Sequence, residues 1–157
     1  MKKDHLKMNN KAPIGIVGLG MMGSSIATAL LLNGQNVIAL SSINSKIDSE
    51  APDRIKKSLV ECIKEGLTDK GHQELLKNIH FTTDYPDLST CWLVMECVIE
   101  DLNIKKEVYS KIENNVDDTV IITSNTSAIP ISILQNHLRV AERFFGMHWA
   151  EPAYTSR

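Results

Sequence analysis

Three glycines, in the run Gly18-Leu19-Gly20-Met21-Met22-Gly23, follow a short apolar segment and open a stretch of helical periodicity. No other feature of this chain limits its folding as strongly. The spacing asks for a strand, a tight turn and a helix in immediate succession. Gly18 allows the turn, Gly20 leaves the backbone bare for a closely approaching anion, and Gly23 lets the helix pack against the strand. The helix start then presents free N–H groups and the positive end of its dipole to that anion. The flanks agree: Pro13–Leu19 reads as the strand, and Gly20–Asn33 as the helix. Met22, Ile26, Ala29 and Leu30 share a helical face, and Gly34 stands where a C′ glycine belongs. A dinucleotide is therefore expected on Gly18, Leu19, Gly20, Met21, Met22 and Gly23.

The rest of the chain keeps alternating. Strands are expected at Asn36–Leu40, Ile79–Thr83, Cys91–Ile99, Val120–Thr123 and Arg143–Trp149. Helices are expected from Pro52 to Glu65, from Asp69 to Lys77, over Asp101–Asn114 and from Pro130 toward Leu134, with Ser41–Ala51 as a polar loop. Cys91–Ile99 is nearly continuous in apolar residues, as a strand covered on both faces should be. The alternation gives the fold class: α/β, a Rossmann-type doubly wound, mostly parallel sheet with helices on both faces. It fills residues 12–157 as one domain, with residues 1–11 as a flexible leader.

Composition narrows the function. With 43% hydrophobic and 23% charged residues and a net charge of −2, the chain carries no field suited to nucleic acid or anionic lipid. It has no apolar run of the roughly 20 residues that crosses a bilayer. Cys62, Cys91 and Cys97 offer neither an even count nor a C-x-x-C spacing, so reduced thiols in a cytoplasmic protein are expected. His5, His72, His80, His137 and His148 show no metal-ligand spacing, and no metal is expected.

About 20 residues past the glycines an acid normally bonds the adenosine ribose. Here that place falls at Leu40-Ser41-Ser42. Ser41 can bond one hydroxyl but lacks the charge that repels a 2′-phosphate. With Lys46 the nearest cation, NAD is favoured, and NADP stays open.

Three further segments carry a resemblance. Glu96-Cys97-Val98-Ile99-Glu100-Asp101-Leu102 with Lys105, then Asn125-Thr126-Ser127 after a buried strand, then Arg143-Phe144-Phe145-Gly146-Met147-His148-Trp149, together resemble the N-terminal domain of the L-3-hydroxyacyl-CoA dehydrogenase family over about residues 13–153. The resemblance implies an NAD-dependent oxidoreductase acting on the 3-hydroxy or 3-oxo carbon of an acyl-CoA in fatty acid metabolism, as a possible homodimer. It implies His148 as the catalytic base, with Ser127 bonding the reacting oxygen, and places Glu100, Lys105 and Ser127 at the nicotinamide end. An imidazole suits a base that titrates near neutrality. Outside that context, a histidine beside Trp149 reads as a half-buried structural residue. Lys56, Lys57 and Lys64 read as a solvated face, with contact to CoA phosphates as the alternative.

Two departures accompany the resemblance. The family pairs its histidine with a glutamate about a dozen residues downstream, beyond Arg157, and its all-helical substrate and dimerisation domain is likewise expected to be absent here. The family's asparagine three residues past the histidine is Glu151, which would bring negative charge to the nicotinamide; strand spacing turns it away from His148. The opening glycine run also resembles dehydrogenases of the 3-hydroxyisobutyrate or 6-phosphogluconate type. A non-catalytic nucleotide-binding remnant is the further alternative.

Overall fold

The computed structural model describes residues 12–41 and 49–155. The expected leader and most of the polar loop after Ser41 lie outside the described residues. The elements are β1 (Ile14–Val17), α1 (Met21–Leu32), β2 (Val37–Leu40), α2 (Ala51–Lys64), α3 (His72–Leu75), β3 (Ile79–Thr82), β4 (Leu93–Glu96), α4 (Leu102–Glu113), β5 (Ile121–Ser124), α5 (Ile131–Gln135) and β6 (Phe144–Gly146). The strands form one sheet in the order β3-β2-β1-β4-β5-β6, and every pairing is parallel.

Side-chain alternation along the strands builds two cores. Ile14 and Ile16, Val37 and Ala39, and Leu93 and Met95 cluster with Ile26 and Leu31 of α1 and Ile55 and Leu59 of α2. Val17, Ile38, Leu40, Val94 and Ile122 join Tyr109 and Ile112 of α4 and Leu134 of α5. The sheet is thus wound on both faces. Neighbouring β1 and β4 lead to helices on opposite faces, which opens a crevice at their C-terminal ends, the usual ligand position in such sheets.

Three local expectations need correction. Helix α1 is buried nearly all round rather than along one stripe, because the turn Ala153–Thr155 covers its polar side. Ser25 Oγ there accepts the Ala153 N–H at 2.8 Å, and Thr28 Oγ1 donates to Ser24 O at 2.9 Å, so both buried hydroxyls are satisfied. β4 is shorter than Cys91–Ile99. After Cys97 N–H donates to Val17 O at 2.8 Å, the chain turns across the glycine run. The last strand stops at Gly146 instead of Trp149, since the Trp149 N–H bonds a side chain and no strand. Arg143 precedes that strand as a buried anchor, donating to Val120 O at 3.1 Å and to Glu113 at 3.2 Å.

Candidate functional site

The glycine run sits where β1 meets β4. Gly18 has φ +96°, and a Cβ placed on it would lie 2.8 Å from the Cys97 backbone, so the approach of the neighbouring chain requires glycine. A Cβ on Gly23 would stand 2.0 Å from Gly18 O, which shows how tightly α1 seats on the turn. Gly20 differs: a Cβ there would meet nothing within 4 Å. No protein atom demands glycine at that position, so the free space is available to a ligand. Gly20 is also the N-cap of α1, with no side-chain capping bond and no acid in the first turn. The first turn of the helix itself brings no carboxylate to its free N–H groups, which are suited to an anion. Half-buried Arg54 of α2 donates to Leu19 O at 3.0 Å and to Ser24 Oγ at 3.2 Å.

Beside the turn lies a depression of about 550 Å³ at the ends of β2 and β3, lined by Leu19, Ser41, Pro52, His80, Thr82 and Asp84 among others. Ser41 lies on its wall, and its N–H donates to Thr82 O at 2.9 Å. This is the side of the crevice where an adenosine would sit when its pyrophosphate lies on Gly20.

Across the switch point, the charged residues are organised around Glu96, which ends β4 and is fully buried. Its carboxylate accepts Lys105 Nζ at 2.8 and 2.9 Å, Tyr109 Oη at 2.8 Å, Ser124 Oγ at 2.7 Å and Val98 N–H at 2.8 Å. Lys105 and Tyr109 are four residues apart on α4, so they reach Glu96 from one helix face. Lys105 Nζ also lies 3.3 Å from Glu100 Oε2. Glu100 accepts the Thr126 hydroxyl and the N–H groups of Ser127 and Ala128 at 3.1 and 3.0 Å. Partial burial works against its charge, but the Thr126 and Ala128 bonds and the Lys105 ammonium prevail, and its carboxyl titrates at about 2.

His148 follows β6 and is exposed, not half-buried. Both of its neighbours are tied to the end of β5: Met147 N–H donates to Ser124 O at 2.9 Å, and Trp149 N–H to Asn125 Oδ1 at 2.8 Å. The histidine is therefore held beside the Asn125–Ser127 loop by its backbone. Glu151 is exposed in an irregular segment and makes no ion pair with His148 among the described residues.

The fold thus gathers Glu100, Lys105 and Ser127 into one bonded group, with His148 on the adjoining loop. Lys105 is only 1% exposed, and its ammonium is taken up by Glu96 and Glu100 rather than presented to solvent. Reasoning from sequence missed the roles of Glu96, Tyr109, Ser124, Asn125 and Arg54. A signal existed for the first: a carboxylate inside an apolar strand must find a cation, and Lys105 opens the following helix.

Comparison with known proteins agrees with this geometry. The family model for the 3-hydroxyacyl-CoA dehydrogenase NAD-binding domain matches residues 13–157. A probable 3-hydroxybutyryl-CoA dehydrogenase of Deinococcus radiodurans is 33% identical over 138 residues, covering 88% of this chain and 49% of that protein. A 3-hydroxybutyryl-CoA dehydrogenase of Mycobacterium tuberculosis is 34% identical over 141 residues, again 88% of this chain and 49% of the relative. The crystal structure of the (S)-3-hydroxybutyryl-CoA dehydrogenase from Ralstonia eutropha superposes with a TM-score of 0.83 at 33% identity, over 91% of this chain and 50% of that one. The chain spans about half the length of these relatives. The family match separates it from the 3-hydroxyisobutyrate and 6-phosphogluconate types that share its opening. With a glycine turn that leaves one Cβ position open between β1 and α1, and with the family model matched over residues 13–157, the chain belongs to the 3-hydroxyacyl-CoA dehydrogenase family as its NAD-binding domain.

Proposed function

We propose that this chain forms the cofactor half of an enzyme that interconverts a 3-hydroxyacyl-CoA and its 3-oxo form. The observation that carries the reading is the pair of backbone bonds flanking His148, which tie that histidine's segment to the end of β5 and to Asn125, next to the loop that carries Ser127. NAD, when bound, supplies the hydride acceptor. His148 takes the proton of the substrate hydroxyl as the C3 carbonyl forms, and Ser127 Oγ donates a hydrogen bond to that oxygen. Glu100, held ionised, orders the loop that carries Ser127 and presents a negative edge to the nicotinamide side. A homodimer and a cytoplasmic setting belong to the same reading; the free thiols of Cys62, Cys91 and Cys97 support the latter.

Acetoacetyl-CoA reduction followed through NADH consumption tests this, on this chain and on any longer product that contains it. His148→Asn should lower kcat by about 10²–10⁴ with NADH affinity unchanged, the usual contribution of a general acid–base. Equal turnover by the variant would remove His148 from the chemistry. The second reading, a nucleotide-binding module without chemistry, is favoured by one observation: exposed His148 has no carboxylate partner among the described residues. NADH binding with no turnover in either product would establish it.

A further inference from the structure

We infer that Arg54 is a positioning residue for the phosphate-binding turn, holding the Leu19–Gly20 peptide in the orientation a pyrophosphate needs; this rests on the reading of Gly18–Gly23 as the cofactor site. Arg54 lies in the first turns of α2, well separated in sequence from the glycines, yet its guanidinium closes a three-membered ring of bonds on them. Nη2 donates to Leu19 O at 3.0 Å, Nε donates to Ser24 Oγ at 3.2 Å, and Ser24 Oγ donates to the same Leu19 O at 3.1 Å. One carbonyl thus receives two donors, one of them charged, and the turn is tied to α1 and α2 together.

The consequence follows from the planarity of the peptide. In a trans peptide the C=O and the next N–H point in opposite directions. With Leu19 C=O drawn toward Arg54 and Ser24, Gly20 N–H is directed to the other side, and the partial negative charge of the carbonyl is kept off that side. The first N–H groups of α1 and the open space at Gly20 await an anion there. A carbonyl swung into the space would oppose the same anion that the helix end attracts. The forked guanidinium suits the task because two of its N–H groups meet two acceptors in one plane; a lysine ammonium has no such fork.

The experiment compares NADH, ADP-ribose and adenosine binding to the wild type, Arg54→Gln and Arg54→Lys, with Gly20→Val as a control and thermal melts on each protein. Arg54→Gln should weaken NADH and ADP-ribose about tenfold, in keeping with loss of a charge-assisted bond, and leave adenosine within about twofold. Arg54→Lys should recover only part of the loss. NADH binding by Arg54→Gln equal to the wild type overturns the inference, as does an equal loss for all three ligands or full rescue by lysine. Failure of the wild type itself to bind NADH, or equal binding by Gly20→Val, instead overturns the assignment of the turn to the cofactor, and the inference falls with it.

Discussion

The side-chain oxygen of Asn125 accepts the backbone N–H of Trp149 at 2.8 Å across 24 residues of chain. That bond ends the strand pairing of β6 and starts the irregular segment that follows His148. The histidine ring has no side-chain partner of its own among the described residues, so its place relative to Ser127 depends on this link and on Met147. Asn125→Ala should therefore lower kcat/KM for acetoacetyl-CoA by about 10- to 100-fold, the scale expected when a reacting group is misplaced by about 1 Å. NADH affinity should stay within about twofold. Unchanged kcat/KM would show that Met147 alone suffices.

Glu96→Gln should be among the most destabilising single changes in the chain. The substitution leaves the buried Lys105 ammonium without its main counter-charge and turns one acceptor toward Tyr109 and Ser124 into a donor. Breaking a buried pair from one side costs about 3–5 kcal/mol. Urea denaturation reads the loss as a lower midpoint. The double variant Glu96→Gln, Lys105→Met should recover a good part of it, since both charges are then gone. A double variant no more stable than the single one would mean that hydrogen bonding, not charge, dominates the group.

Gly20 and Gly23 should fail in different ways. Gly23→Ala drives a methyl to 2.0 Å from Gly18 O, so α1 must shift off the turn and the melting temperature should fall. Gly20→Val meets no protein atom at its Cβ and should leave the melting temperature nearly unchanged while abolishing NADH binding. Fluorescence titration beside thermal melts separates the two, and loss of both properties in both variants would contradict the geometry.

Glu100 gives the site a defined acid limit. Its folded carboxyl titrates at about 2, below the ordinary value of 4.5. A depressed carboxyl contributes its stabilisation in full above the unfolded value and loses it as pH falls toward the folded one. The stability gap between wild type and Glu100→Gln should therefore be constant near neutrality and shrink from about pH 5 downward. A gap that shrinks above about pH 6 would place the titration elsewhere.

Much of this could be read from the residues. The glycine run, the alternation of elements and the buried strands fixed the doubly wound sheet, because each is a local pattern whose physics needs no distant partner. Element ends were less legible. β4 and β6 stop early because the chain after Cys97 passes closely over Gly18, which only a glycine there permits, and because Asn125 takes the Trp149 N–H, and both causes lie far off in sequence. The buried side of α4 was only partly visible. Val108 and Ile112 marked it by hydrophobicity, whereas Lys105 and Tyr109 are polar residues turned inward to meet Glu96. Arg54 gave no signal in sequence, since a backbone carbonyl and a serine hydroxyl, the acceptors that tie it to the glycine turn, leave no mark in the pattern of residues.

The strand order has a bearing on how the chain reaches this state. β1 lies at the centre, with β2 on one side and β4 on the other, and Ile14 pairs with both Val37 and Leu93. All the pairings are parallel, so none can start from a tight hairpin and each waits for a crossover to close. While only β1, β2 and β3 have been synthesised, one edge of the apolar segment Ile14–Val17 has no ladder partner until Leu93–Glu96 arrives. Such an edge is a template for pairing with another molecule. During synthesis at about 5–20 residues per second that edge stays open for seconds, so the interval most prone to aggregation comes before β4, and solubility on expression should depend on how quickly that strand is delivered.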